Sequence, residues 1–234
     1  MNKGKIYLIP STIGGDVKKT LTKPVFDAIN KIDTYVVENI RNARRFILNI
    51  DKSKNIDTIS FFSFGKHNNL NISEEILPLL LNNTDIGVIS DAGLPCVADP
   101  GSQIVAFAHE YNFEVIPLVG PSSIFLALMA SGLNGQNFSF CGYLPIDKKS
   151  RTKKIKLIED KVLKENQTHL FIETPYRNNQ LFESILKNCK NNTKLCLASN
   201  LSLKDQYIKT MTIGEWKKTK TNLNRKPTLF IIGQ

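Results

Sequence analysis

The chain has 234 residues, 41% hydrophobic and 22% charged, a balance that excludes collagen-like and disordered classes and suits one large domain or two small ones. Lys and Arg number 31 against 21 Asp and Glu, and this net charge of +10 fits a polyanionic partner, nucleic acid first, or equally a Lys- and Asn-rich solvated surface. No apolar run approaches the roughly 18 residues of a membrane span, and the opening MNKGKIYLIPSTIGG enters a strand-like run too short for a secretory signal, so a cytoplasmic protein is expected.

In chain order, runs rich in β-branched and aromatic residues predict strands over residues 5–10, 34–37, 58–64, 86–90 and 113–118. Between them, helical spacing of apolar residues predicts helices over 22–31, 40–49, 73–81 and 100–111, with Ser73 as an N-cap followed by Glu74 and Glu75. Strands that are apolar throughout are covered on both faces, so this half reads as a parallel α/β sheet.

The segment Pro117-Leu118-Val119-Gly120-Pro121 cannot continue a helix and reads as a hinge between two α/β domains, residues 1–117 and 118–234. Beyond it, helices are expected over 122–131, 148–164 and 178–189, and strands over 138–143, 169–173, 194–199, 209–213 and 228–232. The four cysteines (Cys96, Cys141, Cys189, Cys196) never form C-x-x-C and lack a paired histidine motif, so they read as free thiols and no metal site is expected.

The densest punctuation is SDAGLPCVADPG, from Ser90 to Gly101, at the end of a predicted buried strand. In open α/β sheets, ligands bind beyond the carboxyl ends of strands. Here Gly93 permits close backbone approach, while Pro95 and Pro100 stiffen the loop. Neither a phosphate-binding G-x-x-x-x-G-K-[ST] nor a G-x-G-x-x-G is present, so the ligand is not expected to be gripped chiefly by phosphates.

That loop, followed by VIPLVGPSSIFLALMASGL, FSFCGYLP and FIETPYRNNQLFESIL, resembles the tetrapyrrole methylase superfamily of S-adenosylmethionine (SAM) methyltransferases. Within it, the chain is most similar to the ribosomal small subunit methyltransferase I family, which 2′-O-methylates a cytidine of ribosomal RNA. The resemblance runs from Lys5 to Gly233. It implies two α/β domains with SAM in the cleft between them, a homodimer, and ribosomal RNA or the small ribosomal subunit as partner.

It further assigns SAM to Pro10, to Asp91, Ala92, Gly93, Leu94 and Pro95, to Ser122 and Ser123, and to Glu173, Thr174, Leu201, Pro227 and Thr228. A Glu-Asp-Thr-Arg segment of the family corresponds here to Glu38-Asn39-Ile40-Arg41, which makes Glu38 the candidate base or hydrogen-bond acceptor for a ribose hydroxyl. Arg41, with Arg44 and Arg45, is a candidate phosphate contact or one solvated helix face. His67, beside Asn68, falls where the family has His-Asn-Glu and is a candidate acceptor contact.

Three further features bear on an RNA partner. Tyr176 and Arg177 offer a ring beside a cation. The run Lys148-Lys149-Ser150-Arg151, with Lys153 and Lys154, could track phosphates or form the polar face of a helix. Trp216 reads as surface or dimer packing, and His109 and His169 as structural. Two other functions fit the same residues: a tetrapyrrole C-methyltransferase of this fold, and a non-catalytic RNA-binding ribosome-assembly module.

Overall fold

The computed structural model describes residues 3–64, 70–99 and 101–234. The chain divides into two compact units, Met1–Ser122 and Ser123–Gln234. Among the described residues no helix is long and apolar enough to cross a membrane.

The first unit runs β1 (Ile6–Ile9), α1 (Val17–Thr20), α2 (Lys23–Lys31), β2 (Thr34–Val37), α3 (Ile40–Ile50), a 3-10 turn (Ile56–Thr58), β3 (Ser60–Ser63), a π turn (Ile72–Ile76) continuing into α4 (Leu77–Leu81), β4 (Ile86–Ile89), α5 (Ser102–Glu110) and β5 (Val115–Pro117). Its sheet has the order β3-β2-β4-β1-β5 and every pairing is parallel. Side chains alternate across the strands, so Tyr35, Val37 and Ile89 pack under α2 and α3, through Val25, Ile29, Ala43 and Ile47. Val36, Ile86 and Val88 face the other way, onto Ile76, Leu80, Ile104 and Phe107 of the α4 and α5 layer. This is why the strand sequences carry no polar face.

Pro78 explains the irregular start of α4. A proline clashes with the carbonyl four residues back and supplies no N–H to it, so the turn before it widens and Leu77 N–H bonds to Ile72 O. The N-cap is Asn71, whose side chain accepts from Glu74 N–H, not the expected Ser73. β5 ends at Pro117, and Leu118 N–H continues the ladder to Leu8 O at 3.0 Å.

The second unit runs α6 (Ser123–Ser131), β6 (Phe138–Tyr143), α7 (Lys148–Glu165), β7 (Thr168–Ile172), α8 (Asn178–Asn188), β8 (Lys194–Ser199), β9 (Tyr207–Thr212), α9 (Ile213–Trp216) and β10 (Thr228–Gly233). Its sheet order is β6-β7-β10-β8-β9, with β6–β7 parallel and the other pairs antiparallel. Ile155, Ile158, Leu181 and Ile185 of α7 and α8 pack on Phe171, Leu197 and Phe230. Ile213 opens α9 rather than closing a strand, because Thr212 and Glu215 form a reciprocal cap at that point.

Trp216 corrects one expectation. It is fully buried at the centre of this core, edge-on to Phe182, and its indole N–H donates to Leu195 O at 2.8 Å. It is a packing residue, and truncating such a side chain costs about 3–5 kcal/mol.

Candidate active site

In the first unit the carboxyl ends of β1, β2 and β4 bring together Pro10-Ser11, Glu38 and the loop from Ser90 to Asp99. The loop is held in an uncommon shape: Gly93, Cys96 and Ala98 all have left-handed backbone, with φ of +77, +66 and +64°. For residues with a Cβ this costs roughly 1–2 kcal/mol each, so the loop needs fixed partners. Asp99 supplies two, its Oδ1 accepting from Cys96 N–H at 2.8 Å and Gly101 N–H at 2.9 Å. Burial pushes the Asp99 carboxyl above its ordinary range, and burial with Asp99 alongside pushes the Cys96 thiol up to about 11. A thiol so shifted stays protonated near neutral pH, and Cys96 packs against the core of the α4 and α5 layer.

Gly93 locks the other end. Its carbonyl accepts from Ser11 N–H at 2.9 Å, and a Cβ there would lie 3.1 Å from Ile13 Cγ2 and 3.3 Å from Pro121 O. Gly120 in turn lies so close over Pro10 that any side chain would strike the proline ring. Pro10, Gly93 and Gly120 thus fix three loops against one another.

Beside this rim is a polar pocket of about 250 Å³, lined by Ser11, Asn39, Asn42, Arg45, Phe46 and Asp91 among others. Hydrogen bonds in series link it to Glu38 at the end of β2. Glu38 Oε2 accepts Asp91 N–H at 3.0 Å, Asn42 Nδ2 donates to Asp91 Oδ2 at 2.9 Å, and Arg45 donates to Asn42 Oδ1 at 2.8 Å. Asn39 caps α3 by accepting Asn42 N–H at 3.2 Å. Ser11 is 3% exposed, yet its hydroxyl has no partner. A buried hydroxyl left unpaired costs about 1–3 kcal/mol, which a polar ligand could recover.

In the second unit, register brings Glu173, Thr174, Leu201, Pro227 and Thr228 to one end of the sheet. Ile172 of β7 and Ala198 of β8 both pair with Leu229 of β10. Asn200 N–H bonds to Pro227 O at 2.9 Å, and the Thr228 hydroxyl pairs with Ser199 Oγ at 2.8 Å. Glu173 is buried, and its Oε1 accepts from Thr174 N–H at 2.7 Å and from Arg177 at 2.6 Å. The side chains of Glu173 and Thr228 hold the strand ends in place, leaving backbone and small groups facing outward.

Ser122 ends the first unit and Ser123 opens α6. Arg41 is exposed in the first turn of α3, whereas Arg44 lies 5.5 Å over the Phe61 ring and Arg45 is engaged with Asn42, so the three arginines do not act alike. His67, Asn68 and Pro100 lie outside the described residues. Arg151 departs from the phosphate-tracking and polar-face readings alike: it is 3% exposed, and its guanidinium donates to Ser184 Oγ and Ile146 O. Its register on α7 turns it inward while Lys148, Lys149 and Lys153 stay exposed. Sequence reasoning missed Asn42 and Ser11. Asn42 stands one turn after the cap Asn39, and that spacing is its only signal.

SAM carries a sulfonium cation, an adenine and an amino-acid tail, a group better met by carbonyls, small hydroxyls and a carboxylate than by a basic clamp. The rim fits this chemistry through the backbone groups of residues 91–95, the unpaired Ser11 hydroxyl and the Asp91 carboxylate.

A profile of the family described as Tetrapyrrole (Corrin/Porphyrin) Methylases matches residues 14–217. The chain belongs to this family. As a tetrapyrrole methylase it is a SAM-dependent methyltransferase. It is 31% identical over 212 residues to the ribosomal RNA small subunit methyltransferase I of Vibrio cholerae, covering 90% of this chain and 69% of that protein. It is 29% identical over 236 residues to the protein of the same name from Buchnera aphidicola subsp. Schizaphis graminum, covering 99% and 79%. Among solved structures it is similar to the methyltransferase CobJ, with TM-score 0.66 and 14% identity over 99% of this chain and 94% of that one. It is also similar to uroporphyrin-III-C-methyltransferase from Thermus thermophilus, with TM-score 0.57 and 15% identity over 98% and 92%. At such identities these two likenesses describe the fold of this tetrapyrrole methylase and not its acceptor.

Proposed function

We propose that the protein is a cytoplasmic, homodimeric SAM-dependent methyltransferase that 2′-O-methylates a ribose of small-subunit ribosomal RNA. The observation that carries this reading is the polar pocket of about 250 Å³ beside the stiffened loop, in a chain whose curated relatives are named for ribosomal RNA. Asn42 and Arg45, on the side of the pocket away from that loop, offer hydrogen-bonding groups that suit a nucleotide. The net charge of +10 also supports a polyanionic acceptor.

SAM, when bound, supplies the electrophilic methyl group. In the first unit, Pro10, Asp91, Ala92, Gly93, Leu94, Pro95 and Ser122 would hold it; in the second, Ser123, Glu173, Thr174, Leu201, Pro227 and Thr228 would. Glu38 accepts the proton of the ribose hydroxyl with the oxygen not used by Asp91, a role that typically contributes 10²–10⁴-fold. Asn42 and Arg45 shape the acceptor side, and Arg41, exposed on the same helix, meets a phosphate. Much of the acceleration comes from alignment, because oriented reactions gain roughly 7–11 kcal/mol from positioning.

The test is transfer of labelled methyl from SAM to purified, unmodified small ribosomal subunits, with a no-RNA control. Label in a single ribose-methylated oligonucleotide is the expected result. SAM binding without label in any ribosomal RNA, but with label in a tetrapyrrole, would overturn the acceptor while leaving the enzyme class in place.

A further inference from the structure

The end of the second unit's sheet carries an aromatic and basic cluster that the methyl-transfer chemistry does not use. β6 and β7 run parallel, and Tyr143 pairs opposite Ile172 after a register shift that follows Phe140. Such irregularities re-aim a side chain, and Tyr143 emerges 60% exposed. Just beyond β7, the turn closed by Arg177 N–H to Thr174 O at 2.8 Å presents Tyr176, which is 75% exposed.

Arg225 reaches the same place from a segment 49 residues away in sequence. Its guanidinium lies 6.0 Å from the centre of the Tyr176 ring, and its N–H bonds to Pro175 O at 3.1 Å. It adopts a left-handed φ of +59° to do so, a conformation that costs a non-glycine residue roughly 1–2 kcal/mol. Arg177 braces the same turn: one nitrogen is pinned to the buried Glu173 carboxylate at 2.6 Å, and its Nε is buried without a partner.

An exposed ring held beside a cation is the arrangement that stacks an unpaired nucleobase and meets its phosphate. We infer that Tyr176, with Arg225, is a platform for a single unpaired nucleotide of the acceptor RNA, on a turn braced by Arg177. The inference rests on the reading that the acceptor is RNA, and it adds what that reading lacks: the part of the RNA held here is single-stranded. Tyr143 stands at the same end of the sheet.

The test measures binding of a fluorescently labelled single-stranded RNA oligonucleotide to the full chain across a salt series. Tyr176→Ala should weaken binding about tenfold with an unchanged log–log salt slope, since a stacking contact carries no charge. Tyr176→Phe should bind as the parent does. Arg225→Gly, which keeps the backbone conformation, should lower the slope by about one. SAM affinity should be the same in all three, and melting temperature should not fall in any of them. Unchanged RNA affinity in Tyr176→Ala, in a protein that still methylates small subunits, would reject the platform and leave the acceptor reading standing. Loss of SAM affinity in Tyr176→Ala would give the ring to the cofactor instead. A parent protein that binds no RNA would remove both.

Discussion

Glu38 Oε2 accepts the backbone N–H of Asp91 at 3.0 Å, tying the end of β2 to the loop after β4. On the proposed function, one carboxylate does two jobs, holding the loop with one oxygen and offering the other to an acceptor hydroxyl. Glu38→Gln keeps an oxygen for Asp91 N–H but loses the base, so kcat should fall about 10²-fold with SAM affinity intact. Glu38→Ala releases the loop as well and should weaken SAM binding in addition. Calorimetry with single-turnover rates separates the two, and full activity in Glu38→Gln would remove Glu38 from proton transfer.

Gly93 is the position where a single added carbon should be felt. Its φ of +77° disfavours any Cβ, and the space is closed by Ile13 and Pro121. Gly93→Ala should cost roughly 1–2 kcal/mol locally, disturb the Ser11 contact and weaken SAM binding, while circular dichroism stays unchanged. Unaltered SAM affinity would place the cofactor elsewhere.

Most of the architecture was legible because strands such as residues 34–37 and 86–89 carry no charge and are rich in β-branched and aromatic residues, and helices such as 40–50 carry a strong 3.6 period. The two four-residue helices, α1 and α9, escaped because a single turn has no period to read; only the caps Asp16 and Thr212 mark them. The loop at residues 90–99 announced itself through its prolines and glycine. What joins it to α3 did not, since Asn42 meeting Asp91 spans 49 positions and depends on strand order. Arg151 and Trp216 were misread for a related cause: burial is decided by what packs across from a residue, and a charged or aromatic type alone cannot report it.

Arg151 gives a stability prediction that opposes its neighbours. Its buried guanidinium donates to Ser184 Oγ at 3.1 Å and Ile146 O at 2.9 Å. Arg151→Ala should therefore cost about 2 kcal/mol, near 5 °C in melting temperature. RNA affinity at equal folded concentration should be unaffected. The exposed Lys148, Lys149 and Lys153 predict the reverse: changing them to Glu should spare the melting temperature and reduce the salt slope by about one for each phosphate that a lysine neutralises. Equal RNA slopes before and after the lysine changes would return them to a solvated face.

His169 sets an acid limit on stability. It is 3% exposed on β7, with Nε2 unpartnered and Nδ1 3.4 Å from Cys141 Sγ. Burial, reinforced by Lys161 and Lys154, lowers its pKa below the ordinary 6.5. The unfolded chain then binds the proton more readily than the folded one, so the contribution of the neutral ring is fully present above pH 6.5. It is lost as pH falls from 6.5 through the lower folded value. Carboxylates add their own acid sensitivity, so the informative quantity is a difference. His169→Gln should lower the melting temperature at pH 7.5, yet lose less than the parent between pH 7.5 and 5.5, as measured by calorimetry. Parallel losses in the two proteins would show that His169 does not titrate on unfolding in that range.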